Sequence, residues 1–168
     1  SELTMELYVD RYTGNWHRLL TALFSADIRK VGHDVKDMMR ALLEQELPAE
    51  GFIFDTALAA YLVDATAGKY DLPRLFMSYY NEELPKPAHL QPGAFSPLAE
   101  DVVPAQTALL SYTAAVSALY ETLLPQLRDM QLEELYYQVE LPLCRVLADM
   151  EIAGFPVDRK ELAAFGAA

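Results

Sequence analysis

The stretch Gly51-Phe52-Ile53-Phe54-Asp55-Thr56-Ala57-Leu58-Ala59-Ala60-Tyr61-Leu62-Val63 decides the fold class. Its first half is a short apolar run opened by a glycine, the mark of a buried strand. Asp55 then offers a carboxylate to the first unpaired amides of a helix, and Leu58, Tyr61 and Leu62 recur at helical spacing. The same change from strand to helix occurs twice upstream. Ile28 to Gly32 reads as a brief strand, with Asp34 as the N-cap of a helix that buries Met38 and Leu42, Met39 beside them. Met5 to Tyr12 reads as another strand, and Thr13-Gly14-Asn15 breaks it and caps a helix through Leu19, Leu20, Leu23 and Phe24. Strands alternating with helices of about ten residues predict an α/β domain with crossover helices.

The second half has a different texture. From Asn81 to Pro104 there are five prolines, one glycine and little periodicity, which predicts a long surface loop with Pro104 in the first turn of the next helix. That helix carries the stripe Leu109, Tyr112, Val116, Leu119, Leu123 and Leu127. After Arg128-Asp129 a second stripe follows: Leu132, Leu135, Val139, Leu143, Val146 and Met150. Pro142 should kink this second helix, because it lacks a backbone donor and crowds the preceding turn. Gly154 should end it, with Phe155 to Asp158 leading to a last short helix.

Composition excludes several function classes. With 52% apolar residues and 23% charged residues among 168, the chain can bury a core and is not intrinsically disordered. Thirteen Lys and Arg against twenty-five Asp and Glu leave a net charge of −12, which disfavours a free-standing nucleic-acid binder. The uncharged run from Val102 to Tyr120 is interrupted by Pro104, Gln106, Thr107, Ser111, Thr113 and Ser117 and is flanked by acids, so it predicts a buried helix and no membrane contact. The single cysteine, Cys144, cannot pair within the chain, so a reducing, cytoplasmic setting is the expectation. The chain opens Ser1-Glu2-Leu3, without an initiator Met or a basic and apolar leader, and upstream sequence is expected.

Several constellations invite a chemical reading. His33-Asp34 resembles the dyad of metal-dependent phosphohydrolases, but those sites need more histidines than the remaining His17 and His89 provide; a helix cap beside a partly exposed imidazole is the expectation. Phe54-Asp55-Thr56 resembles the opening of the proofreading-exonuclease signature, yet Ala57 stands where a second carboxylate belongs, so Asp55 is expected to be a helix cap. Asp34 and Asp37 could share a helix face with Asp55 nearby, although a two-metal hydrolase commonly needs about four convergent carboxylates. Arg29, Lys30, Lys36 and Arg40 are the main basic concentration and are expected to be ordinary surface; Glu82-Glu83 and Glu133-Glu134 read as solvated faces. In Tyr79-Tyr80 and Tyr136-Tyr137, core packing of one ring and a wet edge for the other outweighs base stacking.

Three segments, in order, resemble bacterial DNA polymerase I. Lys30-Val31-Gly32-His33-Asp34-Val35-Lys36 is similar to the Lys-Val-Gly-x-Asn-x-Lys stretch that begins the second motif of its 3'-5' exonuclease domain. Phe54 to Leu62, with Ala67-Gly68-Lys69-Tyr70-Asp71-Leu72 behind it, is similar to the strand and helix that follow. Glu140-Leu141-Pro142-Leu143, Val146-Leu147, Met150-Glu151, Gly154, Val157-Asp158 and Leu162 resemble the helix linking exonuclease to polymerase. The resemblance covers Arg29 to Leu162. It implies an α/β, ribonuclease H-like exonuclease-type domain, truncated at its N-terminal strands, over residues 1–128, with a linking helix and the start of a polymerase domain over 129–168.

Departures from the family pattern shape the expected function. In active members the second motif reads Asn-x-x-x-Asp; with Asp34 at the Asn position, the metal-binding Asp falls on Met38. The third reads Tyr-x-x-x-Asp, and Tyr112 is retained while Val116 replaces the aspartate. The Asp-x-Glu of the first motif has no counterpart. Methionine and valine cannot ligate a hard magnesium ion. The resemblance therefore implies part of a DNA-directed DNA polymerase of replication and repair whose exonuclease-like segment is structural, with no catalytic, cofactor-binding or metal-binding residue in this chain. Magnesium is implied for the parent polymerase, and the partners are the rest of that polypeptide and, through it, a DNA primer-template. Two alternatives stand beside this: an exonuclease with ligands shifted to Asp34, Asp37 and Asp55, and a helical protein-interaction module.

Overall fold

The computed structural model describes residues 13–86 and 103–154. The expected strand Met5 to Tyr12, most of the proline-rich loop and the helix after Phe155 lie outside the described residues. Two parallel strands, β1 (Lys30–Gly32) and β2 (Phe52–Asp55), pair Lys30 with Phe52, Val31 with Phe54 and Gly32 with Asp55, with an irregularity between Lys30 and Val31. Parallel strands need a crossover. Here it is α2 (Val35–Leu43), while α1 (Trp16–Leu23) precedes β1 and α3 (Thr56–Val63) leaves β2 directly. Then follow α4 (Leu72–Tyr80), α5 (Val103–Asp129), the short α6 (Glu133–Leu135), a π-helical turn (Tyr136–Glu140) and α7 (Leu141–Ala153).

Side-chain oxygens start most of the early helices. Asn15 accepts from the Arg18 amide for α1, Asp71 from the Arg74 amide for α4, and Asp55 from the Ala57 and Leu58 amides for α3. Asp34 departs from expectation. It adopts a left-handed conformation (φ 54°, ψ 50°) and its side chain makes no cap bond to α2. The cap comes from across the sheet, as described below. On α2 the buried residues are Val35, Met39 and Leu42, whereas Met38 is 39% exposed, so Met39 takes the core position expected of Met38.

Two apolar clusters hold the elements together. Phe54, Ala59 and Ala60 meet Leu72 and Leu75 of α4, Ala115, Leu119, Leu123 and Leu127 of α5, and Tyr136 with Leu141. Burial of the three leucines Leu119, Leu123 and Leu127 contributes about 1.5–3 kcal/mol each. The α5 stripe is thus inward over its C-terminal half, while Leu109 stays half exposed. In the second cluster Val35, Met39, Leu42, Leu47 and Ala49 pack on Cys144 and Ala148 of α7.

The second predicted stripe turns the other way: Leu135, Val139, Leu143, Val146 and Met150 are all exposed, and Tyr136, Leu141, Cys144 and Ala148 face the core instead. The expected break at Pro142 takes the form of the π-helical turn just before it, since a proline near the start of α7 cannot donate to the preceding turn and its ring crowds a carbonyl there. Pro125 sits inside α5, on its exposed side, a feature the periodicity concealed. Gly154 ends α7 as expected. No helix among the described residues is long and apolar enough to cross a membrane.

The turn before β2 depends on one glycine. Gly51 has φ +72°, and an added Cβ would collide with the Ile28 carbonyl and lie 2.8 Å from that of Ser25. Lys30 explains the crowding. Its ammonium donates to the carbonyls of Leu23 (3.0 Å), Ser25 (2.9 Å) and Ile28 (2.5 Å) and lies 5.9 and 5.6 Å from the ring centroids of Phe24 and Phe52.

Candidate functional site

Asp55 ends β2 and is 3% exposed. One carboxylate oxygen accepts from the amides of Ala57 (2.9 Å), Leu58 (3.4 Å) and Asp34 (3.2 Å); the other accepts from that of Val35 (2.8 Å). A single side chain therefore caps two helices, α3 on its own chain segment and α2 from the neighbouring strand. The left-handed turn at Asp34 accompanies the presentation of its amide to this carboxylate. Burial raises the Asp55 pKa, and the amides of Val35, Leu58 and Ala57, with His33, act against that rise.

Tyr136 reaches the same corner. Fully buried, its hydroxyl accepts from the Asp55 amide at 2.6 Å and donates to the Asp55 carbonyl at 3.1 Å. Burial raises its pKa, which keeps it a neutral donor. Its neighbour Tyr137 is 39% exposed, the split expected for that pair. Tyr79 and Tyr80 divide similarly, with Tyr79 the more buried.

His33 is more enclosed than expected, its side chain only 11% exposed. Its Nδ1 lies 2.8 Å from Thr56 Oγ1, and that hydroxyl donates to the Gly32 carbonyl at 3.3 Å. The network assigns the imidazole proton to Nδ1. Nε2 is buried without a hydrogen-bond partner, 3.7 Å from an Asp34 carboxylate oxygen. Burial lowers the His33 pKa, against the attraction of Asp34, Asp55 and Asp71.

Beside His33 opens a cavity of about 360 Å³ whose walls include Gly32, Met38, Tyr112, Val116 and Tyr120. Met38 comes from α2 and Val116, with Tyr112, from α5. The two positions singled out by the motif comparison, seventy-eight residues apart in the chain, thus meet in one concavity.

The carboxylates named as alternative ligands do not converge. Asp37 is exposed and pairs with Lys36 at 3.2 Å, Asp34 is exposed and directed at His33, and Asp55 is committed to four amides. Among the described residues no group of three His, Cys, Asp or Glu is placed to hold a metal ion. A thioether and an isopropyl group offer magnesium no oxygen, so this donor set does not fit the ion that the exonuclease reaction would use.

The basic concentration is largely spent on structure. Lys30 is caged, Lys36 contacts Glu151 of α7 at 2.5 Å and Arg40 contacts the same carboxylate at 3.3 Å. Glu133 pairs with Arg128 at 2.8 Å, and Glu82 and Glu83 are exposed.

Residues 6–87 match the family model described as DNA polymerase I, ribonuclease H-like domain. The chain belongs to the DNA polymerase I family. It is 31% identical over 153 residues to DNA polymerase I of Chloroflexus aurantiacus, covering 82% of this chain and 15% of that protein. It is 34% identical over 139 residues to that of Bacillus caldotenax, covering 82% of this chain and 16% of the relative. Among solved structures it is similar to the POL domain of Pol1 from M. smegmatis in complex with DNA primer-template and dNTP, with TM-score 0.65 and 31% identity over 83% of this chain and 21% of that one. The chain spans about one sixth of the length of the curated relatives it matches. The two-stranded parallel sheet with flanking helices among the described residues fits an α/β domain of the ribonuclease H-like class.

Sequence reasoning missed the second cap that Asp55 provides and the Tyr136 hydroxyl beneath it. The signal for the second was partial: one ring of the pair Tyr136-Tyr137 was expected in the core, and a buried tyrosine needs a partner for its hydroxyl.

Proposed function

We propose that this chain is part of a cytoplasmic DNA-directed DNA polymerase of the polymerase I type, and that its exonuclease-like region supports the polymerase without removing 3'-terminal nucleotides. The observation that carries this reading is the meeting of Met38 and Val116 in one cavity. The family places metal-binding aspartates at those two positions, and here both side chains are apolar. Phosphodiester hydrolysis by two metal ions needs oxygen ligands that hold the ions roughly 3.5–4 Å apart. The commitment of Asp55 to two helix ends removes the nearest substitute.

Relatives that cover most of this chain are DNA polymerases, and the similar solved structure is titled as a complex with primer-template and dNTP, which supports the same role for the parent polypeptide. The charge of −12 argues that DNA is held by other parts of that polypeptide.

The test uses the intact polymerase with Mg²⁺, no nucleotides and a primer with a mismatched 3' end. No release of the terminal nucleotide, alongside normal extension of a matched primer, is expected. Release that disappears in Asp34→Ala or Asp37→Ala would establish the exonuclease with shifted ligands instead. The interaction-module alternative gains no support from the C-terminal half of α5, where Leu119, Leu123 and Leu127 are fully buried, although Leu109 is half exposed.

A further inference from the structure

The hydrogen bonds around His33 leave one buried acceptor over. Its Nδ1 donates to Thr56, whose hydroxyl is itself spent on the Gly32 carbonyl, so Nε2 carries a lone pair with no donor among the described residues. An Asp34 carboxylate oxygen lies 3.7 Å away. Both atoms are acceptors, and two acceptors that close repel unless a positive charge lies between them. A proton would serve, but burial opposes it: the His33 pKa is lowered despite the pull of Asp34, Asp55 and Asp71. Those three carboxylates surround a neutral imidazole with negative potential.

We propose that His33 Nε2 and the Asp34 carboxylate bind a late first-row divalent cation, of the class of zinc, nickel and copper, with water filling its remaining positions. A histidine that donates through Nδ1 to a neighbouring oxygen has the tautomer and orientation of a metal-bound imidazole. Bonds of about 2.0–2.1 Å to a nitrogen and an oxygen 3.7 Å apart enclose an angle of about 130° at a zinc ion. The Asp34 side chain is 66% exposed, and a small turn of its carboxylate brings that angle toward the tetrahedral value. Water reaches the ion from the exposed side of Asp34 and from the cavity that His33 lines. A nitrogen donor favours this class over magnesium and calcium, which take oxygen shells. The ion would tie the end of β1 to the start of α2 and stabilise that corner by mass action. With one nitrogen and one oxygen from the protein, its affinity is modest. Met38 and Val116 take no part, so the site is independent of whether 3'-terminal nucleotides are removed.

His17 provides an internal reference. It is exposed on α1, whereas the His33 side chain is 11% exposed, so oxidants arriving from solvent attack His17 faster. Copper cycling with ascorbate and oxygen instead oxidises the imidazole that holds the ion. In the intact polypeptide treated with Cu²⁺ and ascorbate, peptide mass spectrometry should find His33 converted to 2-oxohistidine at least fivefold faster than His17. A hundredfold excess of Zn²⁺ should at least halve the His33 product, and the same excess of Mg²⁺ should leave it unchanged. Asp34→Asn should make His17 the faster of the two; asparagine accepts the left-handed backbone at residue 34 (φ 54°), so the variant keeps the fold. Oxidation of His33 no faster than His17 would overturn the site. An unchanged ratio in Asp34→Asn would overturn the pairing of the two ligands, and equal suppression by Mg²⁺ and Zn²⁺ would overturn the class of ion.

Discussion

The corner around Asp55 and the cavity between Met38 and Val116 are neighbours, and they are built on opposite terms. At the corner the polar groups of Asp55 and Tyr136 are matched: one carboxylate takes four amides and one phenol takes both the amide and carbonyl of the same residue. In the cavity the two positions of catalytic interest carry side chains that hydrogen-bond to nothing. The polar side chains of the corner satisfy buried backbone groups, whereas Met38 and Val116 in the cavity satisfy none.

Substitutions can test that separation. Asp55→Ala should cost the most, about 3–5 kcal/mol, because it uncaps two helices and strands buried amides; urea unfolding gives the value. Asp55→Asn should recover part of the loss, since one oxygen can serve α3 while its NH₂ group confronts the Val35 amide. Tyr136→Phe should cost about 1–3 kcal/mol by leaving the Asp55 amide unpaired, with the midpoint shifted and the denaturant slope unchanged.

A pH series addresses His33, which lies between the two regions. Its folded pKa is lowered, so the unfolded chain binds the extra proton near and below pH 6.5, and stability should be fully present above that pH and decline as the pH falls. The slope cannot exceed about 1.4 kcal/mol per pH unit. His33→Asn keeps a donor for Thr56 and should flatten the curve between pH 7.5 and 5.5. Met38→Ala and Val116→Ala should have the smallest effects, about 0.5–1 kcal/mol each, because both side chains retain water contact. A large loss at either would mean that the cavity bears on the fold after all.

Much of the architecture was legible in the sequence. Strand-to-helix punctuation at Asp55, the helix after Asn15, the buried leucines of α5 and the stop at Gly154 all follow from local chemistry. What escaped depends on contacts distant in sequence. Nothing near Asp34 announces that its helix is capped from residue 55, and nothing in the spacing of α2 distinguishes Met38 from Met39 until α7 arrives to cover one of them. The stripe from Leu135 to Met150 illustrates the same limit differently: periodicity identifies an apolar face, but not which of two faces the present neighbours occupy. The motif Lys30-Val31-Gly32-His33-Asp34-Val35-Lys36 matched on residues that here cage loop carbonyls, bend the chain and clamp α7, so its resemblance was carried largely by structural roles.

The Tyr136 hydroxyl and the Glu151 carboxylate fasten α7 near both ends, one to the tip of β2 and the other to α2. A helix tethered at two separated points cannot swivel freely about either. Mechanically it is a bracket rather than a hinge: force applied to its far side is transmitted to the sheet and to α2 together, and whatever is mounted there inherits a fixed orientation.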